Sequence, residues 1–358
     1  MVTYTHFGKQ PDVLKHLVLC EVLQIEKPQI YVETNSACAI YTMTHTPEQE
    51  YGIYHFLNEA NKDATLKNSL YYQLESESMA NGNYLGSPAL AMKVLNNDVK
   101  GCLFFDLEKE ALENIESFVR HQAVVPSIRT FNCDSIDGVL KLLPSLPKST
   151  FLHIDPYEID KPNSNANTYL DVLISATKLG MKCLLWYGFM TINDKQVLNK
   201  SMSEKFNKAG IKDYTCSELI MNAIKKDTVV CNPGILGSGI LATNLFQKSN
   251  AVIQDYSKKL VEIYKNAQYK KFNGSLYNDT INRMEELVEE NANLKNHIIE
   301  LSEDSERIAN LLRDIRNDNK KLDQENRELR IEVMIKDAQL SEKEKMISDY
   351  KDILKEAI

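Results

Sequence analysis

Residues 275–358 contain neither glycine nor proline; the last of each are Gly274 and Pro233. A run of 84 residues lacking both has no ready place to turn, so it cannot fold as a second compact domain and must be elongated. Apolar residues recur along it every seven positions. Leu287, Leu294, Leu301, Ile308, Ile315, Leu322 and Leu329 form one line. Met284, Asn291, Ile298, Ser305, Leu312, Asn319, Asn326, Val333, Leu340, Ile347 and Leu354 form another, three residues ahead in each heptad. These are the d and a lines of a coiled coil. A continuous helix of this length would reach about 115 Å at a rise of ~1.5 Å per residue. The alternatives are a single solvated helix or a hairpin folded back on the rest of the chain, but nothing interrupts the heptad phase.

Asparagines at three a positions, Asn291, Asn319 and Asn326, favour a parallel two-stranded coil, because buried amides pair across the seam only in register. They weaken it too, as do Lys336 and Lys343 on the d line. In such a pair Glu290 faces Lys295 and Glu325 faces Arg330, while Asp318 meets Asp323 and Glu332 meets Asp337. The expected partner is a second copy, joined through 281–358. The repulsive far half leaves room for a different, more basic protein partner.

Charge separates the chain at the same place. Residues 275–358 carry a net −7 of the total −8, which leaves about −1 for residues 1–274. No basic domain advertises a phosphate backbone, although a local basic cleft can sit in a neutral domain. The seven cysteines, Cys20, Cys38, Cys102, Cys133, Cys183, Cys216 and Cys231, are scattered without a metal-ligand spacing. They read as reduced core thiols, with no metal site and no disulfide frame. No apolar run approaches the ~20 residues that span a bilayer, and a cytoplasmic location without membrane attachment is expected.

Residues 1–270 read as one α/β domain. Apolar or β-branched runs at 29–33, 102–106, 128–131, 151–155, 182–187 and 239–245 alternate with helix-period segments at 12–24, 107–120 and 167–179. That order predicts a mostly parallel sheet covered by helices on both faces. Three of the runs end in an acid: Glu33, Asp106 and Asp155. At the carboxyl ends of parallel strands such acids can reach a ribose or an amine. An acid after a strand also N-caps the next helix. Residues 45–83, with Pro47 and the tyrosines Tyr51, Tyr54, Tyr71 and Tyr72, read as an insertion, either a substrate-side subdomain or a helical cover.

The run Phe151-Leu152-His153-Ile154-Asp155-Pro156-Tyr157 is the most pointed of these. A carboxylate and a proline carbonyl can accept the two hydrogens of an exocyclic amine, leaving its lone pair aimed at a methyl donor, while the aromatic ring stacks on the base. The same residues can also simply end a buried strand.

Tyr4, Pro11-Asp12-Val13-Leu14-Lys15-His16, Tyr31-Val32-Glu33-Thr34, Gly86-Ser87-Pro88, Asp134 ten residues before Pro144, Ile154-Asp155-Pro156-Tyr157-Glu158, Leu185-Trp186-Tyr187 and Ser238-Gly239 follow in that order. In this the chain resembles the large-subunit ribosomal RNA adenine-N6 methyltransferases of the RlmJ family, over nearly all of residues 1–245. The resemblance implies a Rossmann-type domain that binds S-adenosylmethionine, followed here by the long coiled-coil helix. It implies cofactor contacts from Lys15, His16, Glu33, Asn35, Ser87, Asp106, Asp134 and Ser135. Asp155, Pro156 and Tyr157 would be catalytic, and Tyr4 would lie over the substrate nucleotide of an RNA or DNA.

Three departures bear on activity. Where the family has Asp-Thr-His-Ala-Gly-x-Gly, this chain has Glu33-Thr34-Asn35-Ser36-Ala37-Cys38-Ala39, so both glycines and the histidine are gone. The catalytic loop is Asp155-Pro156-Tyr157, one proline short of Asp-Pro-Pro-Tyr, and Asp106 stands for a glutamate. Misplacement by about 1 Å can cost about a hundredfold in rate. The expectation is therefore a methyltransferase-like protein of reduced chemistry, serving as an oligomeric scaffold or binding component. The alternative is an active adenine-N6 methyltransferase.

Overall fold

The computed structural model describes residues 7–356 apart from 123–125, 222–223, 227–228, 232–234, 265–266 and 274–279. It separates into two units, residues 1–279 and 280–358.

The first unit begins with α1 (Gln10–Glu26) and β1 (Ile30–Thr34), then a hairpin-like pair of short strands, β2 (Ile40–Thr42) and β3 (Asn83–Leu85). Between those two lies the insertion: α2 (Pro47–Gln49), a π-helical turn at Glu50–Tyr54, α3 (His55–Ala60), α4 (Ala64–Lys67) and α5 (Leu70–Ala80). There follow α6 (Ser87–Leu95), β4 (Gly101–Asp106), α7 (Lys109–Arg120), β5 (Ile128–Asn132), α8 (Ser135–Leu142), β6 (Thr150–Ile154) and α9 (Tyr169–Lys178). The last part comprises β7 (Lys182–Phe189), α10 (Ile192–Ala209), β8 (Thr215–Met221), the small hairpin β9 (Ile224–Lys226) and β10 (Val229–Cys231), β11 (Gly237–Thr243), α11 (Gln247–Ile263) and β12 (Ala267–Asn273).

The main sheet runs β5-β4-β1-β6-β7-β11-β8-β12. The five strands from β5 to β7 pair in parallel; β11 is antiparallel to both β7 and β8, and β12 is antiparallel to β8. Because side chains alternate along a strand, neighbouring residues feed two separate cores. Tyr31, Phe104 and Phe151 pack beneath α1, α6, α7 and α11. Val32, Phe105 and Leu152 pack beneath α8, α9 and α10. This is why β6 is buried at every position and reads as a largely apolar run, with Thr150 and His153 as its polar members.

Helix α1 is buried almost all round, through Leu14, Leu17, Val18 and Leu23 among others, as expected of a helix without a polar face. It starts at Gln10 with Pro11 in its first turn and the Lys9 N–H donating to the Asp12 carboxylate at 3.2 Å. The insertion is helical, and Ile53, Phe56, Leu66 and Tyr71 send it into the same core as α1.

The second unit is a single helix, α12 (Thr280–Glu356), of 77 residues. The apolar lines read from the sequence, from Leu294 through Leu301, Ile308, Ile315 and Leu322 to Leu329, are exposed along it. No helix among the described residues is long and apolar enough to cross a membrane.

Candidate cofactor and catalytic site

A cavity of about 440 Å³ opens at the carboxyl ends of β1, β4, β5 and β6, within the size range of small-molecule sites. Lys15, His16, Asn35, Ser87, Asp106, Asp134, Ser135, Asp155, Pro156 and Tyr157 all line it. Of the two other residues named from the sequence, Tyr4 lies outside the described residues. Glu33 is a correction: β1 continues through Thr34, so residue 33 sits inside the sheet and its side chain turns into the core. There its carboxylate accepts from the Tyr31 hydroxyl at 3.0 Å and lies 3.1 Å from His153 Nδ1, with all three side chains buried.

The loop after β1 keeps the backbone shape that its glycine-free sequence argued against. Asn35 has φ +52° and Ala37 has φ +51°, a left-handed conformation that costs an L-residue roughly 1–2 kcal/mol. Hydrogen bonds hold it there. Ser36 N donates to Phe105 O at 3.0 Å, and Ala37 N donates to Asp106 Oδ2 at 2.8 Å. The other oxygen of Asp106 accepts from Glu108 N at 2.8 Å. Asp106 thus ties the end of β4 to the loop after β1 while facing the cavity. Gly86 closes the far side of this loop: a Cβ there would fall 2.0 Å from the Cys38 carbonyl oxygen, so only glycine fits before Ser87 and Pro88.

Asp134 N-caps α8, accepting from Ile136 N at 2.8 Å and from Asp137 N at 3.2 Å, and it lines the cavity. Ser135 Oγ donates to Asn35 Oδ1 at 3.2 Å and lies 2.9 Å from the Tyr169 hydroxyl, joining the first and third loops.

Helix α1 carries two groups to the loop after β6. Lys15 Nζ lies 2.7 Å from Asp155 Oδ2 and 3.3 Å from Asp12 Oδ1, and 5.2 Å from the centre of the Trp186 ring. Burial alone would lower its pKa, but the carboxylates of Asp155 and Asp12 outweigh burial and hold the ammonium above its ordinary range. Burial raises the pKa of Asp12, and Lys15 opposes that rise. His16 Nδ1 lies 2.9 Å from the Tyr84 hydroxyl, and burial, helped by the Lys15 charge and by His153, keeps the imidazole neutral well below its usual pKa. Asp155 N donates to Thr34 Oγ1 at 3.2 Å, fixing the start of the loop; Pro156 is buried and Tyr157 stands 74% exposed.

Sequence reasoning missed the aromatic walls. Phe7, Tyr41, Tyr84, Tyr169 and Trp186 line the cavity, with Phe7 stacked on Tyr41 at a centroid distance of 4.5 Å. Asp12 was missed as well, although its place three residues before Lys15 on one helix was a usable signal. No group of residues that could hold a metal ion occurs among the described residues.

Five parallel strands with a reversed strand inserted between the last two of the sheet proper, and a polar cavity at their carboxyl ends, define a Rossmann-type methyltransferase-like fold. No family model and no curated protein matches the chain. Among solved structures it is similar to protein LPL1258 from Legionella pneumophila str. Philadelphia 1, described under the family model DUF519. The two share 21% identity over 75% of this chain and 99% of that one, with a TM-score of 0.56. That likeness is one of fold. An rRNA methylase from Streptococcus thermophilus (12% identity, 67% of this chain, 99% of that chain, TM-score 0.33) aligns more loosely. So does the O-methyltransferase TomG from Streptomyces achromogenes, solved with SAM (11% identity, 64% of this chain, 79% of that chain, TM-score 0.34).

Proposed function

We propose that residues 1–270 bind S-adenosylmethionine in this cavity and methylate the exocyclic amine of adenine in a nucleic acid, the activity of the RlmJ family that the sequence resembles. The observation that carries this reading is the loop at Asn35 and Ala37, whose left-handed backbone persists without glycine. With Gly86 packing closely on Cys38 to hold that loop in place and acidic, amide and hydroxyl side chains facing the cavity, the residues present fit a nucleoside cofactor. Asp106 and Asp134 would hold its ribose and base, and Asn35, Ser87 and Ser135 its remaining polar groups. When bound, the cofactor supplies an electrophilic methyl group on a sulfonium.

The remaining work falls to the chain. Lys15, 2.7 Å from Asp155, holds that carboxylate in place as a hydrogen-bond acceptor. Asp155 and the Pro156 carbonyl take the two amine hydrogens and orient the nitrogen lone pair, which is catalysis by positioning. The proton lost after transfer leaves through Asp155 to solvent.

Calorimetry on the full chain tests the first half: micromolar binding of S-adenosylmethionine, abolished by Asp106→Ala, is expected. The second half needs transfer of labelled methyl to adenine-containing RNA or DNA, lost in Asp155→Asn while cofactor binding persists. Cofactor binding without transfer to either nucleic acid would leave a binding scaffold. That second reading draws support from the missing loop proline and the outward Tyr157. No heat even at millimolar cofactor would remove the whole proposal.

A further inference from the structure

A second cavity, of about 300 Å³, adjoins the first, and Tyr157 and Trp186 line both. Trp186 is the partition. Lys15, on the cofactor side, sits 5.2 Å from its ring centre. On the other side a Cβ built on Gly188 would fall 3.3 Å from Trp186 Cη2 and 3.2 Å from Ile235 Cδ1. Glycine at 188 therefore keeps the second cavity open against the indole. The rest of the wall is apolar, from Phe189, Met190, Val197 and Ile235, and Met190, Val197 and Tyr157 are more than half exposed. The Trp186 Nε1–H is buried and has no acceptor among the described residues.

The polar groups of this cavity are of one sign. Glu158, Asp160 and Asp194 line it, and among the described residues no lysine or arginine does. A phosphate would be repelled there. A flat ring with N–H donors on its edge suits it: the faces find aromatic and aliphatic walls, and the carboxylates accept the donors.

We propose that this cavity receives the nucleoside next to the target adenine on the substrate strand, with guanine preferred because its N1–H and N2–H groups can both bond one carboxylate. The inference rests on the nucleic-acid reading given above. Its warrant is the continuity of the two cavities across Tyr157 and Trp186 together with the acid-edged apolar wall. Selection by a neighbouring base is a means by which base-modifying enzymes set sequence context.

The test uses the full chain loaded with S-adenosylhomocysteine and fluorescent single-stranded oligoribonucleotides carrying one adenine in a uracil background. One neighbour of the adenine is either guanine or uracil. Anisotropy should show the guanine context bound about tenfold more tightly, in keeping with the energy of stacking one base. Val197→Trp, which fills the cavity from a half-exposed position, should erase that preference, and Asp194→Asn should reduce it. Calorimetric affinity for S-adenosylhomocysteine should stay unchanged in both variants, which also reports that they are folded. A wild-type protein indifferent to the neighbour, or a preference that survives Val197→Trp, overturns the inference, gives the cavity to another occupant and leaves the proposed function standing. Absence of both cofactor and oligonucleotide binding overturns the function and the inference together.

Discussion

The ammonium of Lys15 lies 2.7 Å from the carboxylate of Asp155, with both side chains only about a tenth exposed. Lys15 belongs to the first helix of the domain and Asp155 to the loop after β6, so the pair fastens that helix to that loop. Removing one partner of such a pair strands the other charge in a poorly solvated place. Lys15→Met should therefore lower stability by about 3 kcal/mol, measured by urea unfolding.

Ala37 holds a backbone conformation that glycine adopts freely. Ala37→Gly should raise stability by up to about 1 kcal/mol. It also removes a methyl group from the cavity wall. Tighter binding of S-adenosylmethionine by calorimetry is expected, and weaker binding would mean that the methyl group is a contact for the cofactor.

Two buried groups set opposing pH slopes. Burial raises the pKa of Glu75 well above its ordinary 4.5, opposed in part by the Leu85 N–H that it accepts. Its contribution to stability is full below that ordinary value and is lost as pH rises through the folded pKa. His16 behaves the other way. Its folded pKa lies well below 6.5, so its contribution is present above 6.5 and is lost as pH falls. Glu75→Gln should gain stability relative to wild type as pH rises from about 5 to about 8, and His16→Gln should flatten the loss below about 6.5. Each slope is at most about 1.4 kcal/mol per pH unit for one proton. Urea unfolding across this range would show both, and a reversed sign for either variant would contradict the assignment.

The long helix makes a separate prediction. Asn319→Leu combined with Asn326→Leu should raise the thermal stability of a two-stranded coil and broaden its oligomeric states, because the amides that specify register are gone. Sedimentation of the full chain should show a single dimer for wild type and a mixture for the double variant. A monomeric wild type would dispose of the homodimer proposal.

The sheet was legible where strands are apolar on both faces. Cys102–Phe105 announces itself because nothing polar interrupts it, and Phe151–Ile154 because only His153 does. Thr215–Met221 does not, since Ser217 and Glu218 break its run, yet both are buried. Glu218 accepts from Tyr187 at 2.6 Å and lies 3.5 Å from Lys195, and Ser217 bonds Ser257 at 2.9 Å. Partners supplied from distant helices and strands compensate a strand that local reading rejects. The site shows the same division. Acids at strand ends were visible in sequence, whereas Trp186 and Tyr169 as cavity walls depend on which strand lies beside which. Glu33 was misjudged by one residue of strand length, and one residue is enough to turn a side chain from a crevice to a core.

Lys15 and Asp155 stand 140 residues apart in the chain. A ribosome making this protein therefore releases a helix whose cation has only the neighbouring Asp12 for company until 140 further residues have followed it. The first helix can form early, but it cannot dock for good before β6 and its loop arrive. The pocket is thus left open until β6 has been made, and a chain truncated before that strand would carry Lys15, Asp106 and Asp134 without the Asp155 that joins them across the cavity.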